Sequence, residues 1–286
     1  MLLSNFFETQ YRPLKLIRGS DRTVTLYRYS INAYSLHIGR DASINDLNDL
    51  DVSRHLMTLL ANGKSPHTAE KERCQLLAIW RFAVLRGLLQ VGPTVQAIPT
   101  PEDNPKAWTR AELKKLFRAC KTTPGEICGL PARYWWLALH QVLWDSAERI
   151  GAVRKSKWSD LRGEWITFPA ENRKGGRRPN QRKLHPDTIA SLALIKRNPN
   201  DLIFPWDRTE STLYHHYGRL LQRAGLDDSK QSKFHRMRRS AGTHVSAAGG
   251  DAQQVLQHQN AKTTERYLDR TIASEPQPVD WLFRAG

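Results

Sequence analysis

The chain has 286 residues, of which 40% are hydrophobic and 9% aromatic, enough for packed cores and too apolar for a wholly disordered chain. Lys plus Arg number 44 against 28 Asp plus Glu, a net charge of +16 with an isoelectric point near 10, the electrostatic footprint of a nucleic-acid binder. The start lacks the pattern of a secretory signal, no run approaches the roughly 18 apolar residues of a membrane span, and Cys74, Cys120 and Cys128 lack metal-type spacing. These features argue against membrane, secreted and zinc-module classes and point to an intracellular, soluble protein with reduced thiols.

In chain order, the first hundred residues read as helices joined by short polar loops. Val24, Tyr27, Ile31 and Tyr34 recur at helical spacing. After Asp46–Asp51 comes a second amphipathic stretch with Val52, Leu56, Leu59 and Leu60, which stops at Asn62-Gly63. A long helix is predicted from about Thr68 to Leu89, with Leu76, Leu77, Trp80, Ala83, Val84 and Leu88 as its apolar stripe. Gly92, Pro93, Pro99, Pro101 and Pro105 then make a stiff linker. Domain boundaries follow: a helical bundle over 1–92, a linker over 93–108, a second domain over 109–272 and a tail over 273–286 with an apolar tip at Trp281-Leu-Phe283.

Thr109 and Glu112 have the spacing of a capping box and open the second domain. Helices follow over Leu113–Cys120 and about Ala132–Asp145. Two short strands are predicted at Trp165–Phe168 and Arg182–His185, flanking the basic turn Glu171-Asn-Arg-Lys-Gly-Gly-Arg-Arg178. Helical pattern resumes at Asp187 and runs with interruptions to Asp269. The fold class is mainly α in two domains: an all-α bundle, then an α+β domain that is mostly helical with a small antiparallel sheet.

The chemistry-bearing residues lie in the second domain. His235 and Arg238 are three apart and share a helix face; His258 and Tyr267 follow, while Arg149 and Lys174 stand upstream. Breaking a phosphodiester calls for guanidinium forks on the non-bridging oxygens, an in-line nucleophile and a proton donor for the leaving oxygen. Each residue alone is an ordinary surface or packing feature. The ordered set supplies a candidate for every role.

That order, carried by Ala147-Glu-Arg-Ile-Gly151, Lys174-Gly175, His235-Arg-Met-Arg-Arg-Ser-Ala-Gly-Thr-His244, Leu256-Gln-His258 and Thr263-Thr-Glu-Arg-Tyr267, resembles the tyrosine recombinases, or phage-type integrases. The helical bundle and proline-rich linker also resemble that family's core-binding domain and its connection to the catalytic domain. The resemblance implies a site-specific recombinase that closes on double-stranded DNA as a clamp and cuts and rejoins it through a 3′-phosphotyrosyl intermediate. It implies Tyr267 as nucleophile, Arg149 and Arg238 on the phosphate oxygens, Lys174 as donor to the leaving 5′-oxygen, His235 in proton transfer and His258 on the scissile phosphate. It further implies no cofactor and no metal, a monomer in solution, a homotetramer on DNA, and a place on the DNA of a bacterial or archaeal cytoplasm. The tail suits packing on a neighbouring protomer, and the absence of an extra arm-binding domain before the bundle suits core sites alone.

Candidate DNA contacts are Arg154, Lys155, Lys157, Arg173, Arg177, Arg178 and Arg239, with Arg182 and Lys183, and in the first domain Lys64, His67, Lys71 and Arg81. The pair His215-His216 lacks further metal ligands and reads as helix surface or DNA-backbone contact. Three departures from the family pattern stand out: Ala152 where many members carry an acid, Gln257 where glycine is usual, and a short spacer from Gly250 to His258. Glu148, on the other side of Arg149, reads as a poor substitute for the missing acid. Two rival readings are a type IB topoisomerase-like enzyme and a DNA-binding architectural protein that has lost catalysis.

Overall fold

The computed structural model describes residues 1–102, 104–173, 175, 178–229 and 233–273. It divides into two compact units, Met1–Asp103 and Asn104–Gly286, a division that falls inside the proline-rich stretch.

The first unit is all helical: α1 (Leu3–Phe6), a wide turn over Phe7–Tyr11, α2 (Arg12–Lys15), α3 (Asp21–Ile38), α4 (Asp49–Ala61) and α5 (Pro66–Leu85). Ser20, Asn48 and Ser65 cap α3, α4 and α5 by accepting the backbone N–H of Thr23, Asp51 and Thr68. The α5 helix ends four residues before the predicted Leu89. Gly87 takes a left-handed φ of 70°, and the Leu88 N–H turns back to the Ala83 carbonyl at 3.0 Å, which stops the helix. Leu3, Phe6, Phe7, Ile31, Tyr34, Val52, Leu76, Ile79 and Trp80 form the core.

The chain from Val91 to Ile98 does not hang free of this unit. Trp80 Nε1 donates to the Val91 carbonyl, Arg73 to the Val95 carbonyl, and the N–H groups of Thr94 and Ile98 donate to Asp49 and Glu70. Side chains of α4 and α5 thus satisfy backbone groups that a proline-broken segment cannot pair with itself.

The second unit begins with α6 (Arg110–Lys121), whose N-terminus carries the Thr109–Glu112 capping box. A two-residue ladder, β1 (Glu126–Ile127) and β2 (Leu130–Pro131), leads into the central α7 (Ala132–Ser146). After α8 (Ile150–Val153) come β3 (Leu161–Arg162), β4 (Trp165–Phe168) and β5 (Asn180–Lys183), an antiparallel sheet in the order β3-β4-β5 with Phe168 opposite Asn180 and Trp165 opposite Lys183. The helices α9 (Pro186–Ala193), α10 (Glu210–Arg223), α11 (Phe234–Ala247), α12 (Ala252–Leu256) and α13 (Ala261–Glu265) complete the unit.

The last strand is shifted two residues from the predicted Arg182–His185. His185 is the N-cap of α9, its Nδ1 accepting the Asp187 N–H at 3.2 Å, because Pro186 presets the first helical turn. The two-residue strands β1, β2 and β3 are too short to leave a periodicity in the sequence. Trp135, Trp136, Leu139, Val142 and Leu143 of α7 fill the core, and Tyr217 of α10 stacks on Phe234 of α11 with ring centroids 4.1 Å apart. This stack fixes α11 against α10, and Trp136 of α7 stacks on Phe234 from 6.5 Å, which ties α11 to α7 as well.

Candidate active site

The site is built where three breaks in regular structure meet the face of α11. The first is the junction between α7 and α8. Ala147 adopts a left-handed φ of 49°, and Arg149 is the N-cap of α8. Such a backbone conformation is costly without glycine and frees the Ala147 carbonyl from the helix. The second is the end of α12, where Gln257 also has φ 49° and His258 follows. The third is the turn after α13, which carries Tyr267.

Arg238 ties the first two together. It is 2% exposed, and its two terminal nitrogens donate to the carbonyls of Ala147 and Leu256. Its Nη1 also lies 3.9 Å from Glu148 Oε1. Burial and the neighbouring Arg149 charge pull its pKa down, whereas Tyr267 and Glu148 push it up.

Tyr267 stands among cationic and imidazole groups. Its hydroxyl is 2.9 Å from His235 Nδ1, its ring meets the His258 ring edge-on at 5.0 Å, and the Arg239 guanidinium is 5.7 Å from its ring centre. The segment is anchored by Asp269, two residues on. The Asp269 N–H donates to Thr243 Oγ1 on α11, and its carboxylate accepts the Ala107 N–H at 2.8 Å.

His258 is pushed down to about 4, by burial first and then by the charges of Arg238 and Arg149. It is therefore neutral at pH 7. Its Nδ1 is 3.1 Å from Thr264 Oγ1. Arg149 is half-buried, and among the described residues its guanidinium makes no ion pair or side-chain hydrogen bond. Cationic groups converge here with Glu148 as the buried acid, so the geometry suits a guest anion such as a phosphodiester.

The structure therefore brings together Arg149, His235, Arg238, His258 and Tyr267. Lys174 and Arg177 lie outside the described residues, as does the tip Trp281-Leu-Phe283. Lys155, Lys157 and Arg178 are exposed, and Arg154 is half-buried at the end of α8. Arg239 is half-buried, donates to the Lys106 carbonyl and leans on Tyr267.

Two basic residues read as DNA contacts face inward instead. Arg173 has a side chain only 9% exposed and is paired with Glu148 at 2.9 Å. Arg182 donates to the Val255 carbonyl at 2.7 Å and to Gln254, favourable contacts for a cation at a helix C-terminus. In the first unit Lys64 is exposed, the His67 ring is occupied by the Pro101 carbonyl at 3.1 Å, and Lys71 is half-buried on α5. His216 rests edge-on against Trp206, and no cluster of three metal-ligating side chains occurs among the described residues.

Glu148 is the residue that sequence reasoning undervalued. It is 1% exposed; burial alone would raise its pKa, but the Arg149 N–H, Asn180, Arg173 and Arg238 together hold it below the ordinary carboxylate value. Ala152, where the resemblance led to the expectation of an acid, is buried at 3% exposure. The available signal was the acid directly before Arg149, but its direction depends on the left-handed turn at Ala147.

The fold is that of integrases solved with DNA. A lambda integrase fragment, a dimer bound to a COC′ core site, matches with a TM-score of 0.71 at 18% identity over 97% of this chain and 98% of that one. A lambda integrase tetramer bound to a Holliday junction matches at 0.73 and 19% identity, covering 97% of this chain and 80% of the other. The Tn1549 transposon integrase in complex with transposon right-end DNA matches at 0.76 and 13% identity over 98% and 97%. Residues 106–273 match the phage integrase family, more than half the chain, and the protein belongs to that family. No curated protein matches it in sequence. No helix among the described residues is long and apolar enough to cross a membrane.

Proposed function

We propose that this protein is a site-specific DNA recombinase that cuts and rejoins duplex DNA through a 3′-phosphotyrosyl intermediate. The observation that carries the reading is the Tyr267 hydroxyl, 2.9 Å from His235 and beside a cluster of Arg149, Arg238 and His258. Tyr267 Oη attacks the scissile phosphorus while the bond from phosphorus to the 5′-oxygen breaks. His235 Nδ1, within hydrogen-bonding distance, takes the phenolic proton. A free phenol ionises only near pH 10, so this assistance and the adjacent cations lower the barrier.

Arg149 and Arg238 clamp the non-bridging oxygens, where charge grows in the transition state, and His258 donates a hydrogen bond to the same phosphate. Lys174 is assigned the proton for the leaving 5′-oxygen. In the second half-reaction a 5′-hydroxyl from another strand attacks the phosphotyrosine, Tyr267 leaves and the proton returns. Each step exchanges one phosphoester bond for another, so the cycle calls for no nucleotide, and the guanidiniums supply the positive charge.

The first unit is the core-binding domain in this reading, with Lys64 and Lys71 toward the DNA backbone. Exposed Lys155, Lys157 and Arg178, together with Arg154, are phosphate contacts in this reading, and Arg177 is assigned the same role from the sequence. Four protomers exchange strands, a reading supported by the lambda integrase tetramer solved on a Holliday junction. The tail at Trp281-Leu-Phe283 packs on a neighbouring protomer, and the protein acts on the DNA of a bacterial or archaeal cytoplasm.

The test is covalent trapping on a nicked duplex made from the DNA that the protein protects beside its own gene. Wild type is expected to form an adduct and Tyr267→Phe none. Binding without an adduct from wild type favours a purely architectural role, and relaxation of plasmids that lack the site favours a topoisomerase.

A further inference from the structure

We propose that Glu148, Arg173, Asn180 and Gln257 form a closed hydrogen-bonded ring that positions the reacting groups, with Gln257 as the residue that closes it. The inference rests on the recombinase reading above. Glu148 Oε2 accepts from Arg173 Nε at 2.9 Å and from Asn180 Nδ2 at 3.0 Å. Arg173 Nη2 donates to Gln257 Oε1 at 2.5 Å, and Gln257 Nε2 donates to Asn180 Oδ1 at 2.5 Å.

The chemistry of the four groups fits only one way around. A guanidinium only donates and a carboxylate only accepts, so both amides are fixed in orientation, each accepting once and donating once. A glycine at 257 would take from Arg173 Nη2 its acceptor and from Asn180 Oδ1 its donor, leaving both residues held by Glu148 alone within the ring. A shorter side chain would not reach.

The ring joins two of the three breaks from which the site is assembled, the α7–α8 junction and the end of α12, to the connection from β4 to β5. Glu148 stands next to Arg149, and its other oxygen accepts the Arg149 N–H at 2.9 Å and faces Arg238 at 3.9 Å. Arg173 and Asn180 bound the connection from β4 to β5, and Arg173 immediately precedes Lys174 in the chain. Gln257 is bonded covalently to His258, whose ring faces Tyr267. Displacing any one member therefore moves two segments that must meet on one phosphate, and small misplacements at such a site are costly in rate.

Backbone geometry supports the role of Gln257. Its φ of 49° is one that glycine adopts freely and other residues adopt under strain. The strain persists because the side chain does what glycine cannot. Two departures from the family pattern then have one cause: the acid absent at Ala152 is supplied by Glu148, and the amide at 257 binds the arginine that Glu148 holds.

The experiment measures phosphotyrosyl formation in a single turnover on the nicked duplex, with duplex Kd and Tm measured alongside. Gln257→Gly relieves the backbone, so its Tm is expected to equal or exceed that of wild type and its Kd to stay within about threefold. The cleavage rate is expected to fall at least tenfold. Glu148→Gln is also expected to slow cleavage. The double variant is expected to be no slower than the slower single one, although Glu148 and Gln257 share no direct hydrogen bond. Cleavage by Gln257→Gly at the wild-type rate, or effects that multiply in the double variant, overturns the ring. So does a rate loss that comes only with a lower Tm and weaker binding, which means that Gln257 serves the fold alone. Absence of an adduct from wild type strikes at the recombinase reading itself, and the inference falls with it.

Discussion

Tyr267 stands edge-on to His258, with ring planes at 82° and centroids 5.0 Å apart, while its hydroxyl meets His235 on α11 at 2.9 Å. The phenol is thus held by two imidazoles, one on α11 and one just beyond the end of α12. Replacing the hydroxyl alone leaves the edge contact intact. Tyr267→Phe is expected to keep its Tm within about 1–2 °C and its duplex affinity, yet to form no covalent adduct. A denaturing gel after incubation with nicked duplex checks this; a surviving adduct would move the nucleophile elsewhere.

Arg149 and Arg238 have very unequal expected effects on stability. Arg238 is buried, bonded to two carbonyls and near Glu148, so Arg238→Ala leaves two buried acceptors without their donor and removes one of the charges that face Glu148, and is expected to cost about 3–5 kcal/mol. Arg149 has no ion pair among the described residues, and Arg149→Ala is expected to stay within about 0.5 kcal/mol of wild type. Both should lose cleavage. Urea unfolding of the two variants separates them, and equal destabilisation would contradict the assignment of Arg149 to the guest anion.

His258 is held near 4 by burial, Arg238 and Arg149. A phosphodiester placed between those guanidiniums offsets their charge and raises that pKa toward the ordinary value of about 6.5. Duplex binding then takes up protons and tightens as pH falls below about 6.5. Titration of the His258 ring by NMR, with and without duplex, reads the shift directly. A ring that stays near 4 in the complex would place the phosphate elsewhere.

Acid is expected to destabilise the protein between about pH 6.5 and 4. His140, buried on α7, is pushed down to about 4 by burial; its Nδ1 donates to the Trp136 carbonyl and its Nε2 meets no partner among the described residues. A histidine whose folded pKa lies below its unfolded value carries fewer protons folded than unfolded, so its stabilisation is full above about 6.5 and is lost as pH falls to 4. Each such histidine contributes up to about 1.4 kcal/mol per pH unit in that window. His140→Asn keeps a donor for Trp136, and its unfolding free energy should have a flatter slope. An unchanged slope sinks the assignment.

Gly242 on α11 lies against Leu256, whose Cδ1 would be 2.7 Å from a Cβ added there. Gly242→Ala gains about 1 kcal/mol of helix propensity but strains the contact by about 1–3 kcal/mol. Since Leu256 is fully buried and its carbonyl holds Arg238, the expected result is a lower Tm and slower cleavage together. An increase in Tm with full activity would show that α12 is free to shift.

The sequence alone was sufficient for what local rules encode. The Thr109–Glu112 capping box opens α6 where it was read, Val24, Ile31 and Tyr34 of α3 and Val52 and Leu56 of α4 became core although Leu60 stays exposed, and His235 and Arg238 fall on one turn of α11 because three-residue spacing dictates it. The order of basic and aromatic residues pointed to the family. Tertiary structure decided which basic residues face inward and which acid answers them. Arg173 and Arg182 resemble Arg178 as text, yet the first two close against Glu148 and α12. Glu148 and Arg173 are 25 positions apart, and Arg173 and Gln257 are 84 apart. Their meeting depends on left-handed turns at Ala147 and Gln257, residues with no intrinsic preference for that conformation. Periodicity, capping and propensity act over a few neighbours, whereas a buried charge finds its counter-charge only when the packed core has fixed where each backbone turn points.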